Sequence, residues 1–177
     1  MAKHKISVPL TQQGIRKLQS ELDKYMDDIK NKARLLAEKF SERGVEIARV
    51  RIADLDAIFT GELLSSIHSE YKGSQKCGAI FAVVAGTSHC VFVEFGSGQR
   101  GLDTPYPHPL PKGVSWDYAT GKTIRKNAVT GRYYWFYPGQ DGLWHYTEGM
   151  PARPFLFETS LELQKIVVEV AEEIFGK

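Results

Sequence analysis

The helical part of the fold is decided by residues 11–40, which read TQQGIRKLQSELDKYMDDIKNKARLLAEKF. Apolar side chains recur there at every third or fourth position, which places them in one stripe along about eight turns of an α-helix. Thr11 is a suitable N-cap, and Gly44 is a natural C-terminal stop. A helix that is apolar on one side only needs a sheet or a second helix to cover that side. The stripe comprises Ile15, Leu18, Leu22, Tyr25, Met26, Ile29, Ala33, Leu36 and Phe40.

The next segments predict a change from helix to strand. The sequence VEIARVRI at 45–52 fits either a strand or a continuation of the helix, and the pattern leaves both open. A turn at Thr60-Gly61 and a short helical turn then lead into a strand from Ile67 through Tyr71. The sequence CGAIFAVVAGTS at 77–88 is rich in Val, Ile and Phe, so it predicts a second strand, closed by Gly86.

Residues 99–147 differ in composition from the rest of the chain. Prolines and glycines divide this stretch into short pieces and exclude long regular elements. The aromatic sequence YYWFYPGQDGLWHY at 133–146 contains Pro-Gly and Asp-Gly turn signals, which predict a β-hairpin. One acid, Asp117, stands among a group of cations, namely Lys112, Lys122, Arg125, Lys126 and Arg132.

The chain ends in a second amphipathic helix. Pro154 suits its first turn, and apolar residues at three- and four-residue spacing follow from Leu163 to Phe175. An antiparallel sheet flanked by the two helices would cover both of their apolar stripes, which predicts an α+β fold. We therefore predict one domain over residues 1–177, with residues 99–147 as an extended loop and hairpin insertion.

Composition restricts the class of protein. The chain has 177 residues, of which 42% are hydrophobic and 25% charged, as in soluble globular proteins. Its N-terminus lacks the apolar region of a secretory signal, so we expect a cytoplasmic chain. The net charge of +2 argues neither for nor against a nucleic-acid partner. Cys77 and Cys90 lack the partners of a zinc site, and in a cytoplasm we interpret them as buried, inert thiols rather than a disulfide.

Glu94 is the best candidate for an acid in catalysis. It lies in HCVFVEFGSG at 89–98, an apolar run in which burial would raise the pKa of a carboxyl group. The glycines after it resemble a phosphate loop, but LDTPYPHPLP follows and cannot form the helix that such a loop opens. No catalytic or metal-ligand spacing links Glu94 to another acid or to a histidine, and we predict neither a metal nor a cofactor. Its available partners are His89, His108, His145, Asp103 and Asp141.

Three short motifs, in order, resemble a family of long-tailed bacteriophages. They are TGELLSSI at 60–67, AGTSHCVFVEFGSG at 85–98 and TEGMPARPFLFETS at 147–160. The family is that of tail-completion or head–tail joining (neck) proteins, which are minor structural proteins of the virion. The pair His89-Cys90 stands where the family usually has Tyr-Ala, and Ser97 replaces its usual Thr. The matching positions are Thr60, Gly61, Leu63, Ser66, Ile67, Val93, Glu94, Phe95, Gly96, Gly98, Arg153, Pro154 and Phe155.

The resemblance implies a non-enzymatic part of the virion, assembled in the host bacterial cytoplasm. Such a protein forms a homo-oligomeric ring, expected to be hexameric, at the head-proximal end of the tail. Its implied partners are the tail-tube, tail-terminator and head-connector proteins, without a membrane. Glu94 would then fix a local or inter-subunit contact, and we expect Arg153 as its partner. The packaged DNA is a further expected contact, through Lys122, Arg125, Lys126 and Arg132.

Two other classes of function remain open from the sequence. A small hydrolase or nuclease would use Glu94 with a histidine. A prophage-encoded nucleic-acid-binding module would combine the cations of residues 112–132 with base stacking on the aromatic hairpin. Against the second class, tyrosine and tryptophan are also enriched at protein interfaces, which we favour for these aromatic residues.

Overall fold

The computed structural model describes residues 6–57, 61–75, 78–119, 121–139 and 141–176. The predicted α+β class is confirmed, with a long N-terminal helix, antiparallel strands and a C-terminal helix. The helices are α1 (Gln12–Asp54), α2 (Glu62–Ser66), α3 (Cys90–Phe95), α4 (Gly98–Asp103) and α5 (Phe155–Phe175). The strands are β1 (Ile67–Gln75), β2 (Gly78–Ala85), β3 (Arg125–Lys126), β4 (Tyr133–Pro138), β5 (Trp144–Thr147) and β6 (Gly149–Met150).

The strands form two separate sheets where the sequence predicted one. Strands β1 and β2 pair as a two-stranded sheet, and β3, β4 and β5 form a three-stranded sheet in that order. The second sheet contains the predicted aromatic hairpin, in which Phe136 lies opposite Tyr146. No long regular element occurs in the described part of residues 99–147, as the prolines and glycines predicted.

Helix α1 begins where the sequence predicted. The Thr11 hydroxyl accepts a hydrogen bond from the Gly14 N–H at 3.1 Å, which is the geometry of an N-cap. The predicted end at Gly44 is wrong, because the helix continues to Asp54 and is 43 residues long in total. A Cβ atom at position 44 would lie 2.6 Å from Val83 Cγ2, so glycine serves close packing at this point.

The helix ends instead in a Schellman arrangement at Asp56. The Ala57 N–H donates to the carbonyl of Ile52, and the Asp56 N–H donates to that of Ala53. Asp56 has a positive φ of 51°, a left-handed conformation that aspartate tolerates better than most residues. The ambiguous segment at 45–52 is therefore helical.

The chain divides into two compact units, each assembled from separate segments. The first unit comprises Met1–Glu46, His68–Val84 and Glu162–Lys177, and the second comprises Ile47–Ile67 and Ala85–Leu161. In the first, the hydroxyls of Ser41 and Ser69 lie 2.6 Å apart, and Lys39 pairs with Glu173. The predicted cover over the α1 stripe is incomplete, because four of its N-terminal members remain about half-exposed, namely Ile15, Leu22, Tyr25 and Met26.

The second unit holds the predicted motifs. Its most deeply buried large side chains are Ile52, Ile67 and Phe155. Arg49 donates from Nη2 to the carbonyl of Ile67 at 2.8 Å and so ties α1 to the start of β1. The residues of the candidate site belong to the segments 61–67 and 89–157, and both segments lie in this unit.

None of the described helices combines the length and the apolar character that a membrane span requires.

Candidate functional site: the junction around Glu94

The acid singled out by the sequence lies on a short helix inside the second unit. Helix α3 contains Glu94, whose residue is only 5% exposed. Gly96 ends this helix with a φ of 83°, and its N–H donates to the carbonyl of Phe92 at 2.9 Å. A Cβ atom at Gly96 would lie 2.7 Å from the Ala152 nitrogen, so only glycine permits this approach of two backbones.

The Glu94 carboxylate caps helix α5 from a distant part of the chain. Its two oxygens accept backbone hydrogen bonds from Leu156 at 2.9 Å and from Phe157 at 3.1 Å. These N–H groups belong to the first turn of α5, which has no partners for them within the helix. The carboxylate also lies at the positive end of the helix dipole. Glu94 therefore acts as an N-cap across 62 positions of sequence.

A local cap is missing because of the residues before the helix. Pro154 and Arg153 occupy the positions where Ser, Thr, Asp or Asn would normally cap the first turn. The carbonyl of Arg153 accepts from the Phe155 N–H, and that of Pro154 from the Glu158 N–H. This absence of a local acceptor is a sequence signal that could have predicted the role of Glu94.

Burial and hydrogen bonding act in opposite directions on this carboxyl group. Desolvation raises the pKa of Glu94 above its ordinary value, while the N–H groups of Leu156 and Phe157 lower it. A hydrogen bond with the Tyr106 side chain also lowers the pKa of Glu94. In return, burial and the charge of Glu94 raise the pKa of Tyr106 to about 12. Both carboxylate oxygens are already engaged, which suits a structural contact.

The predicted pairing of the Glu94 and Arg153 side chains does not occur within the described part of the chain. Within the described residues the two side chains form no ion pair or hydrogen bond. The Arg153 backbone N–H donates instead to the carbonyl of Val93 at 2.8 Å. Arg153 thus contacts α3 through its main chain, because N–H groups of α5 already bind both carboxylate oxygens of Glu94.

A second close backbone approach lies just beyond Gly96. Ser97 and Gly98 form isolated antiparallel bridges with Met150 and Gly149. A Cβ atom at Gly98, whose φ is 62°, would lie 2.5 Å from the Glu148 carbonyl oxygen. Gly96 and Gly98 therefore provide backbone freedom at the ends of helices, as the sequence indicated. Gly98 opens the short helix α4, and its N–H donates to the carbonyl of Tyr118.

These contacts bring the three motifs together. Gly61 and Leu63 of the first motif, Val93 of the second and Arg153 of the third line one cavity of about 600 Å³. Ser66 donates to the carbonyl of Leu63 and holds the short helix α2. Pro154 and Phe155 are buried at the start of α5. Thr60 lies outside the described residues. We call this meeting of residues 61–67, 93–98 and 148–157 the motif junction.

Aromatic residues of the 104–119 loop close over the junction. Trp116 donates from Nε1 to the carbonyl of Gly96 at 3.0 Å, and its ring contacts Phe95. The Tyr118 hydroxyl accepts from the Tyr106 N–H at 2.9 Å. Sequence reasoning missed these residues, because their partners are backbone groups and rings that are brought near only by the fold.

The predicted DNA-facing cations separate into two kinds. Arg132 forms ion pairs with Asp103 at 2.9 Å and Glu148 at 2.6 Å, although Asp117 is the one acid between residues 112 and 132. Lys126 lies over the ring of Tyr133 at 5.5 Å. Lys122 and Arg125 are exposed. Contact of these four residues with DNA stays a prediction, and Lys126 is exposed like Lys122 and Arg125.

The histidines and the described cysteine serve other contacts. His108 stacks on Phe157 at 3.8 Å, and His145 binds Asp141 at 2.9 Å. Within the described residues, no histidine forms a hydrogen bond with Glu94, and no three His, Cys, Asp or Glu side chains group as metal ligands. Cys90 is a free, half-buried thiol whose pKa is raised by burial, while Cys77 lies outside the described residues.

Comparison with known proteins does not assign the chain to a family. No protein-family model, curated protein or solved structure matches it significantly. The resemblance to phage neck proteins thus rests on the three motifs, which meet at the motif junction.

Proposed function

We propose that this protein is a structural component of a bacteriophage virion, a tail-completion or head–tail joining protein of the neck. It forms a homo-oligomeric ring at the head-proximal end of the tail. Its partners are the tail tube or tail terminator on one side and the head connector on the other. The proposal places the protein in the virion after assembly in the host bacterial cytoplasm.

The observation that carries the proposal is the motif junction. Three motifs that are far apart in sequence line one cavity, and hydrogen bonds of Glu94 and Val93 join the second motif to the third. Their joint presence therefore has one physical cause, the closure of this unit around the start of α5. The meeting of the three motifs in one place supports the proposal, because it gives them a shared structural role.

The chemistry of Glu94 supports a structural role. A general acid or base must reach the proton that it transfers, with a free oxygen directed at substrate. Both oxygens of Glu94 accept backbone N–H groups, and the residue is buried. Such an arrangement stabilises a fixed contact between α3 and α5.

The test is removal of the gene from the phage or prophage that carries it. We expect DNA-filled heads and separate tails in electron micrographs, with joined particles restored by the wild-type gene from a plasmid. Antibodies against the protein should label purified virions at the neck. Joined, infectious particles from the deletion strain would contradict the proposal.

An assay on the purified protein separates this function from an enzymatic one. Glu94→Gln should alter folding stability and oligomer formation together. A hydrolytic or nuclease turnover that disappears in Glu94→Gln, while stability and oligomeric state are unchanged, would favour an enzyme.

A further inference from the structure

The three-stranded sheet has one face composed of aromatic side chains. In its register Arg125 lies opposite Tyr134, and Phe136 lies opposite Tyr146. Trp144 lies two residues before Tyr146 on the same strand, so it shares that side of the sheet. We call Arg125, Tyr134, Phe136, Trp144 and Tyr146 the aromatic face.

The aromatic face is exposed to an unusual degree. Trp144 is 70% exposed, and Phe136 and Tyr146 are each about half-exposed. Tyr146 stacks on Tyr134 with ring centroids 5.6 Å apart and contacts Phe136 at 5.8 Å. The rings thus form a continuous surface. Contiguous exposed aromatic residues of this kind are typical of binding surfaces.

The charged side chain on this face that lacks a charged partner within the described residues is Arg125. Glu148 is engaged by Arg132 and by the Tyr146 hydroxyl, and Asp141 is engaged by His145. Arg125 lies on the face and is exposed, without an ion pair or hydrogen bond of its side chain within the described residues. The occupant that fits combines an apolar surface with negative charge.

The outer side of α5 offers that combination. The helix carries five glutamates and one lysine in its 21 residues. Val168 is 63% exposed, and Glu172 lies one turn further along on the same side, also exposed. We call Gln164, Val168, Glu169 and Glu172 the α5 outer stripe.

We propose that the aromatic face of one copy of this chain binds the α5 outer stripe of a second copy. Trp144 packs against Val168 of the second copy, and Arg125 pairs with its Glu172. The proposal rests on the proposed function, since it names the surfaces that join copies in the ring. Contact between two aromatic faces, or between two outer stripes, would bring like charges together and is disfavoured.

A contact between two different surfaces has a further consequence. When a single contact of this kind joins two copies, each copy still has one of its two surfaces free. Such heterologous contacts propagate and either close into a ring or extend as a filament. A self-complementary contact would stop at a dimer.

Mixing of two variants tests the direction of the contact. Trp144→Ala loses the aromatic face, and Val168→Asp loses the outer stripe, so each alone should be monomeric in analytical ultracentrifugation. Mixed one to one, they retain one competent pair of surfaces and should form a dimer that grows no further. From the size of interface hot spots, we expect about thirtyfold weaker self-association for Trp144→Ala.

A charge exchange tests the pairing of Arg125 with Glu172. Arg125→Glu and Glu172→Arg should each weaken association about tenfold, and the double variant should recover most of that loss. Circular dichroism of all variants checks that these exposed positions leave the fold intact.

Several results would overturn the proposal. A wild-type protein that stays monomeric at its highest soluble concentration excludes it, as do variants that oligomerise like wild type. No dimer in the mixture would indicate a self-complementary contact instead. Loss of single-stranded DNA binding in Trp144→Ala, with an unchanged oligomer, would assign the face to nucleic acid. If the deletion strain still lacks joined particles in these cases, the proposed neck function stands while this contact fails.

Discussion

Replacement of Glu94 by alanine tests the role of the motif junction. The change removes both acceptors of the Leu156 and Phe157 N–H groups at the start of α5. A hydrogen bond to a charged group contributes about 1.5–3 kcal/mol, so the two bonds together amount to roughly 3–6 kcal/mol. Removal of a buried carboxylate recovers part of this, because burial raises the pKa of Glu94 and so disfavours its charge. We expect a net loss of about 2–4 kcal/mol in the free energy of unfolding.

Glu94→Gln refines the same test. The glutamine oxygen can accept one of the two N–H groups, but its NH₂ group is a donor and opposes the other. The expected loss is therefore smaller than for alanine, about 1–3 kcal/mol. Glu42→Ala is the matched control, because Glu42 is an exposed glutamate on α1 and should change stability by less than about 0.5 kcal/mol.

Two measurements decide the outcome. Chemical denaturation followed by circular dichroism gives the free energy of unfolding, and its slope shows whether the surface exposed on unfolding is unchanged. Hydrogen exchange of the Leu156 and Phe157 amides reports on the cap itself, and we expect faster exchange there in Glu94→Ala. A loss within the range of the Glu42→Ala control, with unchanged exchange at both amides, would refute the capping role.

Three further predictions follow from single contacts. The pKa of Glu94 is raised in the folded state, so the folded protein keeps the Glu94 proton at a pH where the unfolded chain has lost it. The contribution of Glu94 to the free energy of unfolding should therefore fall as the pH rises from the ordinary pKa through the folded pKa. The difference in unfolding free energy between wild type and Glu94→Gln, measured across pH, reports this contribution, and a difference that does not change with pH contradicts the prediction. Gly44→Ala should destabilise the folded protein by about 1–3 kcal/mol despite the higher helix propensity of alanine, because the new Cβ would meet Val83. Adding Val83→Ala to the same chain should relieve this loss of stability, as measured in a thermal melt. In Arg132→Gln the pKa of Glu148, which hydrogen bonds from Arg132 hold below its usual value, should rise toward that value in an NMR titration, and an unchanged value would show that the ion pair is absent in solution.

Local sequence patterns predicted the elements better than their partners. The Thr11 cap, the strand from Ile67 and the aromatic hairpin follow from propensity and spacing within a few residues, and the structure confirms each of them. Gly44 shows the limit of this reasoning. Glycine ends many helices, but at position 44 a side chain distant in sequence decides its role, since Val83 occupies the space of a Cβ atom.

The candidate site shows the same limit in its electrostatics. Sequence reasoning selected Glu94 correctly as a buried acid and expected Arg153 as its partner, because opposite charges are the simplest pairing to read from a sequence. The fold provides backbone N–H groups instead, which no pattern of side chains records. Likewise, residues 112–132 contain one acid, Asp117, but the tertiary structure brings Asp103 and Glu148 to Arg132.

The sequence by itself determined the α+β class, the amphipathic helices at both ends and the three motifs at 60–67, 85–98 and 147–160. These properties depend on periodicity, turn chemistry and backbone freedom, which act over a few residues. Only the tertiary structure decided that Glu94 caps α5 and that the aromatic face stays exposed. Both depend on which distant groups meet after folding, because a buried carboxylate must find donors wherever the chain places them.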